Sequence, residues 1–553
     1  MNYSDYFLDS SLSNIDRLNS LVLSLEEALK KRSKSLGSIL RLGGNGNYGE
    51  YLKNRILPEE GVQWSRFSEE FISMFDQSVI WQSPSTMLNI TPPPNMASLA
   101  CSFLTSLFNP NFGTDESSGM LMASELIVIR YLAELVGWNP EYTGGIGTFG
   151  GKGTNLYGLK CGIRNAIPDA DITGIHSDEL VVFTNTKAHP CHREVSAWVG
   201  IGIKNVKVLP VTKDGVLDLE VFKSELYDSL RLGKKVACIY LNAGTTNEGY
   251  IDPIHDVVQI RDRAVKKFGL DYVPHIHADS VIGWIWLFFK GYDFESNPLK
   301  LSAKEERKIK NELRKVSQIK EADSFGADLH KLAFCPYVSS FFITKNVKDL
   351  GRQGTYSVSE AEDLRHGEYA PFEFSLELSR SSMGAVSAYA ALELFGKNGF
   401  REMILHLVRM DQMIRERIME RPDFLVVLPD APGFATLFIA IPDGYASIGI
   451  DAFSDDERNI IAEYNRHFYL YLQDRIKGES ADTLIAISKS YRPFGADTPL
   501  SPLKVYPTCV NARIEDVIKA VDSLLDLKKN FDVEKIVPVD TLRPVSYTHL
   551  TLP

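Results

Sequence analysis

The stretch Ala322-Asp323-Ser324-Phe325-Gly326-Ala327-Asp328-Leu329-His330-Lys331 ends in a lysine that stands 52 residues after Asp279 and just ahead of the apolar run Val338 to Thr344. Working outward from it, β-branched and apolar runs recur at Leu180 to Phe183, Val206 to Val211, Val236 to Leu241 and His275 to Asp279, separated by segments of helix length. Strands alternating with helices build parallel βαβ units, so the centre of the chain is read as an α/β domain around a mostly parallel sheet.

On either side of that centre the pattern changes. The first 80 residues are polar with apolar positions Ile15, Leu18, Leu21, Leu25 and Leu29 at helical spacing, then a turn cluster from Gly43 to Tyr48. The Pro-rich breaker Thr91 to Pro94 closes this part. Between Phe289 and Ala322 a Lys- and Glu-rich run, Lys304 to Leu313, is read as an exposed, solvated helix inserted in the core domain. After about Pro371 a long helical region runs through Arg415. It is followed by β-like runs at Phe424 to Leu428 and Phe434 to Ile441, a helix from Asp455 to Asp474, a strand from Leu484 to Ser488 and a last helix from Ile514. The expected division is an N-terminal helical extension (1–90), a large α/β domain (91–375, with the charged helix at about 290–321) and a smaller C-terminal α+β domain (376–544). Val545 to Pro553 carry no charge, relate to nothing before them and are read as an artefactual tail without function.

Composition narrows the function. Sixty Lys and Arg against 71 Asp and Glu give a net charge of −11, which provides no broad positive field for nucleic acid or anionic lipid. The longest strongly apolar run, Val281 to Phe289, is far shorter than the ~20 residues of a membrane span, and the N-terminus lacks the basic and greasy pattern of a secretory signal. The expected location is the cytoplasm. Six scattered cysteines without a CxxC pair suggest neither a disulfide framework nor a zinc site, and although Cys191 lies between His189 and His192, no metal is expected.

Four segments carry chemistry. Gly147-Thr148-Phe149-Gly150-Gly151-Lys152-Gly153-Thr154-Asn155 opens a helix, so its amides and the helix dipole can cradle a phosphate. Ala188-His189-Pro190-Cys191-His192 follows a strand and places a histidine at its carboxyl end, where ligands of open α/β sheets gather. His275-Ile276-His277-Ala278-Asp279-Ser280 is a buried strand ending in an acid, which is costly unless a cation or donor meets it. Lys331 becomes a nucleophile only where partial desolvation and neighbouring groups let it lose its proton.

In order, these segments resemble the group II pyridoxal-phosphate-dependent amino-acid decarboxylases, which include glutamate and aromatic amino-acid decarboxylases, over roughly Pro84 to Arg415. The resemblance implies pyridoxal 5'-phosphate as cofactor and Lys331 as its Schiff-base lysine, with His330 beside it. By the same resemblance Asp279 meets the pyridinium nitrogen, and His189, not His192, stacks on the ring. Gly150, Gly151 and Lys152 bind the phosphate, although the family has a small hydroxyl residue where Lys152 stands. Thr246, in Asn242-Ala243-Gly244-Thr245-Thr246-Asn247-Glu248-Gly249, matches a threonine near the cofactor. Arg380, in Leu376-Glu377-Leu378-Ser379-Arg380, would meet a substrate carboxylate, and Tyr356, in the Gly/Ser-rich loop Gly351 to Ser359, would reprotonate the substrate carbon. Val281 and Trp284 depart from the family pattern in the site floor.

The implied fold is aspartate-aminotransferase-like (fold type I), with a seven-stranded large domain and a small α+β domain. A homodimer with active sites at the subunit interface is implied as well. The implied reaction is decarboxylation of an L-amino acid to an amine and carbon dioxide. Two alternatives stay open: a carbon–carbon lyase of the sphingosine-phosphate-lyase type, which Phe334-Cys335-Pro336-Tyr337-Val338-Ser339-Ser340 resembles, and a non-catalytic scaffold or regulator on the same fold.

Overall fold

Seven strands, β1 (Gly144–Thr148), β2 (Leu180–Asn185), β3 (Val206–Leu209), β4 (Lys235–Asn242), β5 (His275–Asp279), β6 (Ser324–Asp328) and β7 (Ser340–Thr344), form one sheet in the order β1-β7-β6-β5-β4-β2-β3. The computed structural model describes residues 6–36, 40–42, 46–53, 55–176, 179–350, 365–445, 449–477 and 482–534. Strands β6, β5, β4, β2 and β3 pair in parallel, and β7 alone runs against its neighbours β6 and β1. Every residue of β2, β5, β6 and β7 is buried, as expected for a parallel sheet covered on both faces. The chain reverses its strand order between β2 and β4, and a crevice at that switch point is where such sheets bind ligands.

The helix Gly151–Ala166 covers one face at very close range. A Cβ added at Gly162 would fall 2.1 Å from the Ala237 carbonyl oxygen on β4, and one at Gly158 would fall 2.6 Å from the His277 ring on β5. Glycine on the inner face therefore lets the helix axis approach the sheet, which brings the first turn of the helix over the carboxyl ends of β5 and β6.

The charged run is corrected by the structure. Residues Ala303–Val316 form a helix with a capping box at Ser302 and Glu305, in the connection between β5 and β6. Its face carrying Ile309, Glu312 and Val316 is buried, so it is an amphipathic crossover helix and not a solvated insertion. The apolar run before it is a fully buried 3-10 helix, Gly283–Phe289. Two strands escape the sequence patterning. β1 is three-fifths glycine, and β6, with Ser324, Gly326 and Asp328, lacks a β-branched run.

The C-terminal part begins with the long helix Met383–Met419, interrupted at Gly396, where φ is +52°. It packs on helices Met96–Phe108 and Ala123–Val136 and on a second, antiparallel sheet of β8 (Phe424–Val426), β9 (Thr436–Ala440), β10 (Ala486–Ile487) and β11 (Leu503–Val505), ordered β10-β11-β9-β8. Helices Asp455–Lys477 and Ile514–Glu534 complete it. At the N-terminus, helices span Ile15–Leu36 and Trp64–Ser73. Among the described residues no helix is long and apolar enough to cross a membrane.

Candidate active site

Parallel pairing puts the carboxyl ends of β2, β4, β5 and β6 side by side. His189 follows β2, Thr246 lies half-buried in the turn after β4, Asp279 ends β5, and Lys331 lies three residues past the end of β6. His189 is exposed and its Nδ1 accepts from the Cys191 amide at 3.2 Å.

Asp279 is fully buried, and its two oxygens differ. Oδ2 accepts from Asn155 Nδ2 at 3.1 Å and pairs with His192 Nε2 at 3.0 Å. Oδ1 is buried with no hydrogen-bond partner. Burial alone would raise this carboxyl's pKa, but the hydrogen bond and charge of His192, with His277 and His189 behind it, hold it far below the usual carboxylate range. An ionised carboxylate oxygen without a donor in a dry site is costly, so Oδ1 is built to meet a cationic N–H. Cys191 and His192 lie close enough to Asp279 for their side-chain ligand atoms to fall within 4.8 Å of one another. Hydrogen bonding gives a sufficient account of the pair, because an Nε2 that donates to Asp279 has no lone pair left for a metal.

Lys331 Nζ lies 2.9 Å from Asp328 Oδ2. Burial opposes the ammonium, yet Asp328, by charge and hydrogen bond, raises its pKa above the ordinary lysine value. Asp328 also accepts from Ser340 Oγ at 2.6 Å and lies 3.5 Å from His330 Nε2. The His330 ring is buried, anchored through Nδ1 to the Ser339 carbonyl at 2.9 Å and packed on Tyr337 with centroids 4.1 Å apart. Asp328, Asn155 and His192 were not singled out by sequence reasoning. The only available signal was their place on or beside the four quoted segments.

Gly150, with φ +116°, ends the glycine loop, and the helix starts at Gly151. A Cβ at Gly151 would stand 3.2 Å from Asp328 Oδ2 and 3.4 Å from Val281 Cγ1, so the bare backbone keeps the floor open between them. The Lys152 ammonium pairs with Glu194 and lies 5.5 Å from the Trp198 ring centroid. The residues present fit pyridoxal phosphate. Gly150 and Gly151 offer the phosphate a helix N-terminus, Asp279 Oδ1 offers the ring nitrogen an acceptor, and Lys331 offers the aldehyde an amine.

Arg380 is held by an acid of the scaffold. Its guanidinium is buried in a double ion pair with Glu125 and donates to the carbonyls of Phe112 and Gly147, both at 3.0 Å. These bonds tie the segment before the long helix to β1 and leave it committed to the scaffold. Sequence reading missed a different cation, Lys504 on β11. It is buried, without a hydrogen-bond or ion-pair partner among the described residues, and burial pulls its pKa down to about 8 against the attraction of Glu248. Glu248 stands two residues after Thr246 and pairs at 3.0 Å with Lys187, itself two residues before His189. Tyr356 lies outside the described residues, as does the tail from Val545.

A parallel sheet carrying a buried acid, a lysine and a glycine-opened helix at one end defines a pyridoxal-phosphate site of fold type I. Comparison with known proteins takes this further. Residues 48–286 match the model of the pyridoxal-dependent decarboxylase conserved domain. The chain is 24% identical over 350 residues to L-aspartate decarboxylase dtxS4 of Metarhizium robertsii, a match covering 63% of this chain and 64% of that relative. It is 25% identical over 406 residues to the aromatic-L-amino-acid decarboxylase of Bacillus atrophaeus, covering 72% and 76%. Its fold superposes on the crystal structure of mouse CSAD with a TM-score of 0.74 at 17% identity, over 92% of this chain and 98% of that one. The chain carries the conserved domain of the group II pyridoxal-phosphate-dependent amino-acid decarboxylases, a family whose cofactor is pyridoxal 5'-phosphate.

Proposed function

We propose that this protein removes the carboxylate of an L-amino acid as carbon dioxide, leaving an amine, with Lys331 as the residue that holds the cofactor covalently. The observation that carries the reading is the pairing of functions at one sheet end: a buried, ionised carboxylate with an unpartnered oxygen, Asp279 Oδ1, and a lysine held by an acid, Asp328. Bound there, pyridoxal phosphate supplies an aldehyde and an electron sink for the charge left at Cα.

The protein's own residues do the rest. Asp328 Oδ2, 2.9 Å from Nζ, holds the Lys331 ammonium in place and keeps it protonated until the cofactor arrives. Asp279 keeps its charge while buried, so it would stabilise a protonated ring nitrogen where electrostatics are strongest. His189 at the cleft wall supplies an aromatic face, and Thr246 lines the turn opposite. Lys504 is the cation that meets the substrate's carboxylate. An unpaired buried ammonium gains most from an anion, and Glu248, whose charge acts on Lys504, follows Thr246 by two residues. Tyr356 is assigned the return of a proton to Cα.

We assign the site to a large domain, 91–375, with Lys504 contributed by a smaller domain, 376–544. The protein is further read as cytoplasmic and homodimeric. The dimer reading is supported by helix Met96–Phe108, which leaves Met96, Leu99, Phe103, Leu104 and Phe108 exposed. The test is release of carbon dioxide from carboxyl-labelled amino acids by the holoenzyme. Release with a matching amine is expected, whereas an aldehyde product without carbon dioxide would overturn decarboxylation in favour of carbon–carbon cleavage.

A further inference from the structure

We infer that His192 is a positioning residue that acts through Asp279: with Asn155 it fixes one carboxylate oxygen so that the other is presented to the cofactor's ring nitrogen. The inference rests on the reading of Asp279 given above.

The geometry leaves His192 little freedom. Its side chain is fully buried, and its ring lies flat on Tyr240, with centroids 4.2 Å apart and planes 9° from parallel. Nδ1 faces Thr184 Oγ1 at 2.8 Å, and Nε2 faces Asp279 Oδ2 at 3.0 Å. An ionised carboxylate only accepts, so Nε2 carries a proton and donates it to Oδ2, with Thr184 Oγ1 in hydrogen-bond reach of Nδ1. Three elements thus converge: β2 through Thr184, helix Cys191–Trp198 through the ring itself, and β4 through Tyr240, whose hydroxyl donates to the Asn155 carbonyl at 2.8 Å. Asn155 in turn donates to the same Oδ2. Two donors on Oδ2 and none on Oδ1 set the rotation of the carboxylate and its polarity together. In metal sites, partners that orient a ligand from behind typically change affinity by about 10- to 100-fold, and a carboxylate aimed at a pyridinium is the same device with a proton in place of the metal.

The test compares equilibrium binding of pyridoxal phosphate and of its 1-deaza analogue, which has carbon where the ring nitrogen stands, to the full-length protein and two variants. His192→Phe keeps the ring stacked on Tyr240 and removes both hydrogen bonds, while His192→Gln restores a donor toward Asp279. The wild type should bind pyridoxal phosphate more tightly than the analogue. His192→Phe should weaken pyridoxal phosphate by roughly tenfold or more and leave the analogue within about twofold, and His192→Gln should recover most of the loss. Equal weakening of both ligands by His192→Phe would reduce His192 to general packing and overturn the inference alone. A wild type that does not discriminate between the two ligands would overturn the reading of Asp279 and this inference with it.

Discussion

Removing the charge of Asp328 should make Lys331 a faster nucleophile toward free cofactor. In the folded protein the Lys331 pKa is raised, so the amine is protonated at neutral pH and is released only as pH climbs past the ordinary lysine value of about 10.4. Capture of pyridoxal phosphate by cofactor-free protein should therefore accelerate by about tenfold per pH unit through the neutral and mildly alkaline range. Asp328→Asn keeps the shape and the contact with Ser340 but cancels the attraction at 2.9 Å. A hydrogen bond to a charged group contributes about 1.5–3 kcal/mol, a factor of roughly 10 to 100 in the balance between ammonium and free amine. At fixed pH the variant should hold about 10- to 100-fold more free amine and capture cofactor faster by that factor. Stopped-flow absorbance on mixing, from about pH 6 to about pH 10, reads this directly. Superimposable rate profiles for the two proteins would refute the assignment of Asp328 as the partner of the Lys331 proton.

Other substitutions probe the scaffold and the substrate side. Gly162→Ala puts a methyl 2.1 Å from a backbone oxygen of β4 and should cost about 3 kcal/mol or more in denaturant titrations, because neither element can yield. Glu125→Leu strands the buried Arg380 and should cost about 3–5 kcal/mol, with much of the loss recovered in the double variant Glu125→Leu/Arg380→Met. Lys504→Met should raise KM by roughly 10- to 100-fold while leaving Tm unchanged or higher, since it removes a buried charge that has no partner. Because Lys504 is a cation only below about pH 8, wild-type kcat/KM should fall above that pH and the variant should lose this limb of the profile.

What was legible in the sequence follows from how each feature is encoded. Strands β2, β4 and β7 carry continuous apolar or β-branched runs that report burial on both faces, and their alternation with helices announced the parallel sheet. β1 and β6 were hidden because close approach of neighbouring backbone and of Thr154 selects glycine there over β-formers. The crossover helix Ala303–Val316 looked solvated because its buried face includes Glu305 and Glu312, whose charges are met by Arg409 and Lys315. Among the site residues, Asp279 and Lys331 stand in segments whose order and spacing mark them. Partnerships made across the fold leave no such mark: Glu125 with Arg380 is separated by 255 positions, His192 with Asp279 by 87, and nothing near Lys504 in the sequence points to a cleft.

The central claim is that Lys331 binds pyridoxal phosphate covalently. The most direct measurement is borohydride reduction of the holoprotein followed by peptide mapping. A pyridoxyl group on Lys331, with loss of the visible absorbance on reduction, is the predicted result. A label on another lysine, or none after incubation with excess cofactor, would contradict the account.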